Sequence, residues 1–177
     1  MKKLGLLIIT LAGLLPAQEK KPEKLAPYYP TPEIVVEKML QLGELKRGEK
    51  MFDLGSGDGR IVIMAAQKFG ANGVGVELDN DLWKQSSEKI RSLGLEKTAQ
   101  IIQGDVFIQD YSSANVITVY LLPTSNDKMR PVLEKQLKKG TRIVSHDFEF
   151  AGWRPEKTVT VEDDGEGRSH TLYLYIR

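Results

Sequence analysis

The stretch Met51-Phe52-Asp53-Leu54-Gly55-Ser56-Gly57-Asp58-Gly59-Arg60 constrains this chain more than any other. A short apolar run closes on an acid, three glycines follow at every second position, and a strongly apolar segment opens at Ile61. The order reads as strand, tight turn and helix start, which brings bare backbone N–H groups and the positive end of a helix dipole up to a ligand. The acid narrows the choice of ligand. Asp53 would repel a pyrophosphate, whereas a ligand with an ammonium or sulfonium group is attracted to a carboxylate in that place.

The glycine spacing points the same way. Gly55, Gly57 and Gly59 give G-x-G-x-G, the pattern associated with S-adenosylmethionine, where a dinucleotide turn needs G-x-G-x-x-G. Two further acids repeat the theme. Residues 61–69 read as a helix packed on a sheet, and Val74-Gly75-Val76-Glu77 as a second strand ending in an acid where α/β nucleotide folds bind ribose hydroxyls. Residues 79–93 form the next helix, with Leu82, Trp83, Ile90 and Leu93 turned inward. A third strand over 98–102 runs into Gly104-Asp105-Val106-Phe107, where Asp105 is placed to accept from an adenine amino group while Val106 or Phe107 packs on the base.

Upstream, Thr31-Pro32-Glu33 reads as an N-cap with proline in the first helical position. Ile34, Val35, Met39, Leu40 and Leu42 then share one face of a helix ending near Gly43, expected to lie across the strand ends and help roof the ligand. Downstream, a fourth strand over 114–120, a helix over 126–138 and a fifth strand over 141–150 are followed by two alternating runs, 158–161 and 169–176, joined by the polar turn 163–167. The predicted fold is α/β: a doubly wound, mostly parallel seven-stranded sheet of Rossmann-like type with a C-terminal antiparallel hairpin. Asp53, Glu77 and Asp105 then fall on the carboxyl edge, where such sheets bind ligands.

Composition excludes several function classes. At 177 residues with a formal net charge of +1, the chain supports one domain and shows no basic run suited to nucleic acid. It has no cysteine, hence no disulfide or thiolate nucleophile, and with two histidines no metal site is expected. Residues 1–17 have the layout of a signal peptide or an anchor: Met1-Lys2-Lys3, an apolar run over 4–15, then Pro16-Ala17-Gln18. The run is short for a membrane span, which takes about 20 residues. Residues 18–30 read as a linker and 31–177 as the domain. A signal argues for export or membrane association through residues 4–15; Lys20, Lys21 and Lys24 equally suit a cytosol-facing anchor, so location stays open.

These motifs resemble the class I S-adenosylmethionine-dependent methyltransferases from residue 28 to the end of the chain. Within them, Pro27-Tyr28-Tyr29-Pro30-Thr31-Pro32, Val35-Val36-Glu37-Lys38-Met39-Leu40, Asp53-Leu54-Gly55-Ser56-Gly57-Asp58-Gly59-Arg60, Gly75-Val76-Glu77-Leu78 and Thr141-Arg142-Ile143-Val144-Ser145 are similar to one narrower group. That group is the protein-lysine methyltransferases of the mitochondrial ATP synthase c subunit and adenine nucleotide translocase, with their bacterial relatives. A fainter similarity joins Asp53-Leu54-Gly55-Ser56-Gly57 and the Tyr28-x-x-Thr31 spacing to the non-SET histone lysine methyltransferases. The resemblance implies S-adenosylmethionine as cofactor. Asp53, Leu54, Gly55, Ser56 and Gly57 would line its methionine end, Glu77 its ribose, and Asp105 with Val106 its adenine, with Tyr28 and Thr31 closing over it. It also implies a protein substrate with an accessible lysine, a membrane-embedded one included, and no nucleic acid.

One departure shapes the acceptor side. Enzymes acting on planar amides or base amines often carry Asn/Asp-Pro-Pro-Tyr after the fourth strand, and this chain reads Val119-Tyr120-Leu121-Leu122-Pro123. A lysine amine needs less: an apolar channel and an in-line approach to the methyl group. Tyr120 is therefore expected near the methyl group, and His146 or Asp147 at the rim as polar contacts to the amine. Trp153 reads as packing and His170 as surface. A small-molecule methyltransferase and a non-catalytic nucleotide-binding domain are the competing readings.

Overall fold

A computed structural model describes residues 27–177. The signal or anchor segment and most of the predicted linker lie outside the described residues. The order is α1 (Glu33–Leu42), β1 (Lys50–Leu54), α2 (Arg60–Phe69), β2 (Asn72–Glu77), α3 (Asn80–Ser92), β3 (Ala99–Gln103), a 3-10 turn (Val106–Ile108), β4 (Val116–Val119), α4 (Pro123–Gln136), β5 (Arg142–His146), β6 (Lys157–Val161) and β7 (His170–Ile176). The strands form a single sheet in the order β3-β2-β1-β4-β5-β7-β6. The first five are parallel, and β7 pairs antiparallel with both β5 and β6. The seven-stranded sheet and its antiparallel C-terminal pair are as the sequence predicts.

Both faces of the central strands are covered, which is why they read as near-continuous apolar runs. On one face Phe52, Leu54, Ile117 and Val119 pack with Met129 and Leu133 of α4 and with Tyr111 and Phe150. On the other, Met51, Val116, Val144, Leu172 and Leu174 meet α1 and α2. Farther along the sheet, Val62, Ile63 and Ala66 of α2 pack with Ile90 of α3 and with Ala99 and Ile101 of β3. Trp153 packs on Phe150 and Tyr175, with ring centroids at 4.8 and 5.6 Å.

Several local expectations are corrected. Helix α1 does not roof a ligand: Val35, Val36, Met39 and Leu40 are fully buried against α2 and the sheet, and Ile34 is exposed. Its apolar stripe removes more surface from water on the sheet than over a polar cleft. Thr31 does not cap it, for Pro32 holds the cap position with no side-chain bond. Helix α4 starts at Pro123, a residue that reads as a loop exit but has the fixed φ suited to a first helical position. Leu93 is exposed rather than inward. β5 stops at His146, because Asp147 turns the chain with φ +58°.

Candidate active site

The carboxyl ends of β1, β2, β3 and β4 open onto a cavity of about 240 Å³. Asp53, Glu77 and Asp105 all line it, together with Tyr28, Thr31, Gly55, Ser56, Gly57, Val106 and Tyr120. The three acids from separate strands therefore share a common space, as their register at the sheet edge requires. Leu54 does not line it; its side chain is fully buried in the core, since alternation along β1 turns it to the opposite face from Asp53.

The glycine turn works differently from the expectation of bare N–H groups. The N–H groups of Gly55 and Ser56 both donate to the carbonyl of Val76 at 3.0 Å, and that of Gly59 to the carbonyl of Ser56 at 2.9 Å. Gly57 N–H donates to Glu77 Oε2 at 2.7 Å. The turn thus contributes absence of side chain more than free donors. All three glycines have φ between +52° and +77°, and a Cβ on Gly57 would lie 2.8 Å from the Tyr28 ring. Glu77 also accepts from Asp79 N at 2.8 Å through Oε1, so its two oxygens brace the turn and the start of α3 together.

Asp53 is nearly closed off from solvent and accepts from Thr118 Oγ1 at 2.7 Å. Burial raises its carboxyl to about 7, the Thr118 hydrogen bond working against this and the nearby charges of Glu77 and Asp58 adding to it. Asp105 Oδ1 accepts from Phe107 N at 2.8 Å and so caps the 3-10 turn that carries Val106 into the cavity. Ser56 is buried and its hydroxyl oxygen has no partner among the described residues. A buried polar atom left in that state marks a position where a ligand completes the bonding.

The segment over the cavity is locked by Asp58 and Arg60, which stand in the glycine motif but are given no role by its spacing. Asp58 and Arg60 form a bidentate pair, with Nη2 to Oδ2 at 2.8 Å and Nε to Oδ1 at 3.0 Å. Arg60 Nη1 also donates to the Thr31 carbonyl at 2.9 Å, and the Tyr28 hydroxyl is bonded within the same group. Residues 27–30, read as linker, line the cavity in consequence. Leu82 and Leu121 also line it. The signal for Arg60 was present in its place at the first turn of the helix after the glycines; nothing local marked Leu121.

On the acceptor side, Tyr120 lines the cavity and its hydroxyl lies 3.4 Å from Asp147 Oδ2. Burial, then the Asp147 charge, raise its phenol above the ordinary value and keep it protonated. His146 is not at a rim: it is fully buried, with its ring stacked against Tyr120 at 3.8 Å between centroids. Asp147 is half-buried, bonded through Oδ1 to Thr171 N at 2.9 Å, and neither residue lines the cavity. His170 is buried rather than a surface residue, at 6% exposure.

Residues 53–157 match the ANTKMT methyltransferase domain family. The chain is 43% identical over 151 residues to a protein-lysine N-methyltransferase of Saccharolobus islandicus, covering 85% of this chain and 92% of that one. It is 31% identical over 166 residues to the adenine nucleotide translocase lysine N-methyltransferase of Mus musculus, covering 92% of this chain and 70% of the mouse protein. Among solved structures it is similar to an RNA methyltransferase from Salinibacter ruber in complex with S-adenosyl-L-homocysteine. The TM-score is 0.77 and the identity 44%, over 84% of this chain and 93% of that one. Sheet order, a glycine turn braced by a strand-end glutamate, and these likenesses converge: the chain belongs to the ANTKMT methyltransferase domain family, within the class I S-adenosylmethionine-dependent methyltransferases.

Proposed function

We propose that this protein methylates the side-chain amine of a lysine in a protein substrate. The observation that carries the reading is the charge of the cavity. Among the described residues, Asp53, Asp58, Glu77, Asp79 and Asp105 line it against Arg60 as the one base, and Arg60 is already paired with Asp58. Such a wall favours a cationic donor and a cationic lysine, and disfavours a phosphate backbone. The protein-lysine relatives support the acceptor; the Salinibacter ruber likeness keeps RNA as the competitor to be tested.

The residues present fit the cofactor. Gly55 and Gly57 leave the space a side chain would fill, and Ser56 offers its unpartnered hydroxyl. Asp53 would face the ammonium and sulfonium end, Glu77 the ribose, and Asp105 with Val106 the adenine; Tyr28 and Thr31 close the cavity from above. S-adenosylmethionine supplies a methyl carbon made electrophilic by a positively charged sulfur. With it bound, an unprotonated lysine nitrogen would displace the sulfur from that carbon, and the proton left on nitrogen would pass to water. This chain contributes positioning and exclusion of water, and no covalent residue is required. Because the Asp147 carboxylate only accepts, the Tyr120 hydroxyl donates to it and keeps its own lone pairs to receive an N–H of the incoming amine.

The test is transfer of labelled methyl groups from S-adenosylmethionine to lysine-containing peptides and, in parallel, to total RNA. Label recovered as methyl-lysine, and reduced at least tenfold by Tyr120→Phe, is the expected result. Label confined to RNA nucleosides would overturn the acceptor assignment; equal turnover by Tyr120→Phe would overturn the role of Tyr120.

A further inference from the structure

The chain contains two histidines, 24 positions apart, and the fold brings both to one point. His146 ends β5, His170 opens the antiparallel strand beside it, and Asp147 lies between them at the turn. His146 Nε2 is 2.9 Å from His170 Nδ1. Asp147 Oδ2 is 3.2 Å from His170 Nδ1 and 3.3 Å from His146 Nε2. Both rings are buried.

The outward nitrogens each face an oxygen able to accept a proton from them. His170 Nε2 faces Asp164 Oδ2 at 3.1 Å. Asp164 also pairs with Arg168 at 3.1 Å and accepts the backbone N–H groups of Glu166 and Arg168. A carboxylate that already takes a guanidinium and two backbone N–H groups acts as an acceptor, and His170 Nε2 is placed to donate to it. His146 Nδ1 lies 3.2 Å from Thr31 Oγ1 and can donate to it in the same way. With their protons outward, the two rings turn bare nitrogens toward each other and toward a carboxylate oxygen. Three lone-pair atoms at such distances repel unless a proton or a metal cation sits among them.

We propose that His146, Asp147 and His170 form a binding site for a divalent transition-metal cation, zinc being the best match to two imidazole nitrogens and one carboxylate oxygen. The spacing suits it: a cation roughly 1 Å off the plane of the triangle lies about 2.0–2.1 Å from all three atoms, the length of Zn–N and Zn–O bonds. Every ligand is oriented from behind, His170 by Asp164, His146 by Thr31 and Asp147 by Thr171 N. Carboxylate–histidine–metal arrays are built this way. Asp147 also holds a left-handed backbone, φ +58°, which a residue outside glycine rarely adopts and which turns its carboxylate back between the rings. The site lies outside the cavity, behind Tyr120, and ties the β5–β7 corner to Thr31. A sequence without cysteine and with two distant histidines carries no sign of it; the strand pairing creates it.

The full-length chain, stripped with a chelator, is titrated with Zn²⁺ alone by calorimetry and with Co²⁺ by visible absorption. One equivalent of Zn²⁺ should bind and raise the thermal midpoint, and Co²⁺ should develop the intense d–d bands of low coordination. Asp147→Asn keeps the left-handed turn, which asparagine adopts readily, and should weaken Zn²⁺ at least tenfold. His170→Gln should abolish the Co²⁺ bands. Absence of binding would overturn the proposal, as would binding that survives both substitutions; the cluster would then be a hydrogen-bonded network alone.

Discussion

If Asp53 faces the cationic end of the donor, as proposed, cofactor affinity should depend on pH. Its carboxyl titrates at about 7, raised by burial and by the charges of Glu77 and Asp58. A cationic ligand selects the ionised form, so binding below that value must expel a proton. From pH 7 to pH 5.5 the ionised fraction falls from one half to about one in thirty, and S-adenosylmethionine affinity should fall roughly 15-fold. The ligand's own amino group stays charged throughout this window, since α-amino groups titrate near 8. Calorimetry in two buffers of different ionisation heat should find about half a proton released at pH 7 and nearly one at pH 5.5. The ligand-free protein should behave oppositely. A carboxyl whose folded value exceeds its unfolded value of 3.8 stabilises the fold fully below pH 3.8, and that contribution is lost as pH rises to about 7. Asp53→Asn keeps an acceptor for Thr118 and should flatten both profiles. Methylthioadenosine, which lacks the amino-acid end and the positive sulfur, should bind with no such dependence. A flat wild-type profile, or a slope that persists in Asp53→Asn, would refute the reasoning.

Two substitutions test other parts of the site's support. Glu77→Gln places an amide N–H₂ against either Gly57 N or Asp79 N, leaving a buried donor facing a donor; a loss of about 2 kcal/mol is expected. That corresponds to a thermal midpoint lower by roughly 4–8 °C in scanning calorimetry, with cofactor affinity falling more than tenfold. Asn126 is fully buried and donates to the Phe148 carbonyl at 3.1 Å, holding the segment that leaves Asp147. Asn126→Ala should cost about 1–3 kcal/mol in urea unfolding followed by tryptophan fluorescence, with Trp153 as a nearby reporter. The Phe148 carbonyl also accepts from Ser145 Oγ, and an unchanged midpoint would show that this bond alone suffices.

The cofactor side is legible in the sequence because its determinants are local. Asp53, Glu77 and Asp105 each end a strand, and parallel register alone carries strand ends to a common edge. Tyr28 and Thr31 can be placed by resemblance, but their anchor cannot, since Arg60 reaches back 29 positions to the Thr31 carbonyl. Helix α1 reads as a roof and is not one, because periodicity gives the direction of an apolar face and not the surface it will cover. His170 sits in a polar hairpin and reads as a surface residue; only the antiparallel pairing of β7 with β5 buries it. Leu54 falls within the glycine motif by position, yet the pleat turns it away.

The insertion of β7 between β5 and β6 has a bearing on how the protein comes off the ribosome. Thr31, part of the lid, meets His146 across 115 positions, and α1 rests on strands from the far end of the domain. During vectorial synthesis the glycine turn and Arg60 emerge early and can hold the Thr31 carbonyl, while the Thr31 hydroxyl waits for His146 at the end of β5. The cavity itself is lined only by residues from Pro27 to Leu121, so the walls of the donor site are all synthesised before the strands that brace them from behind.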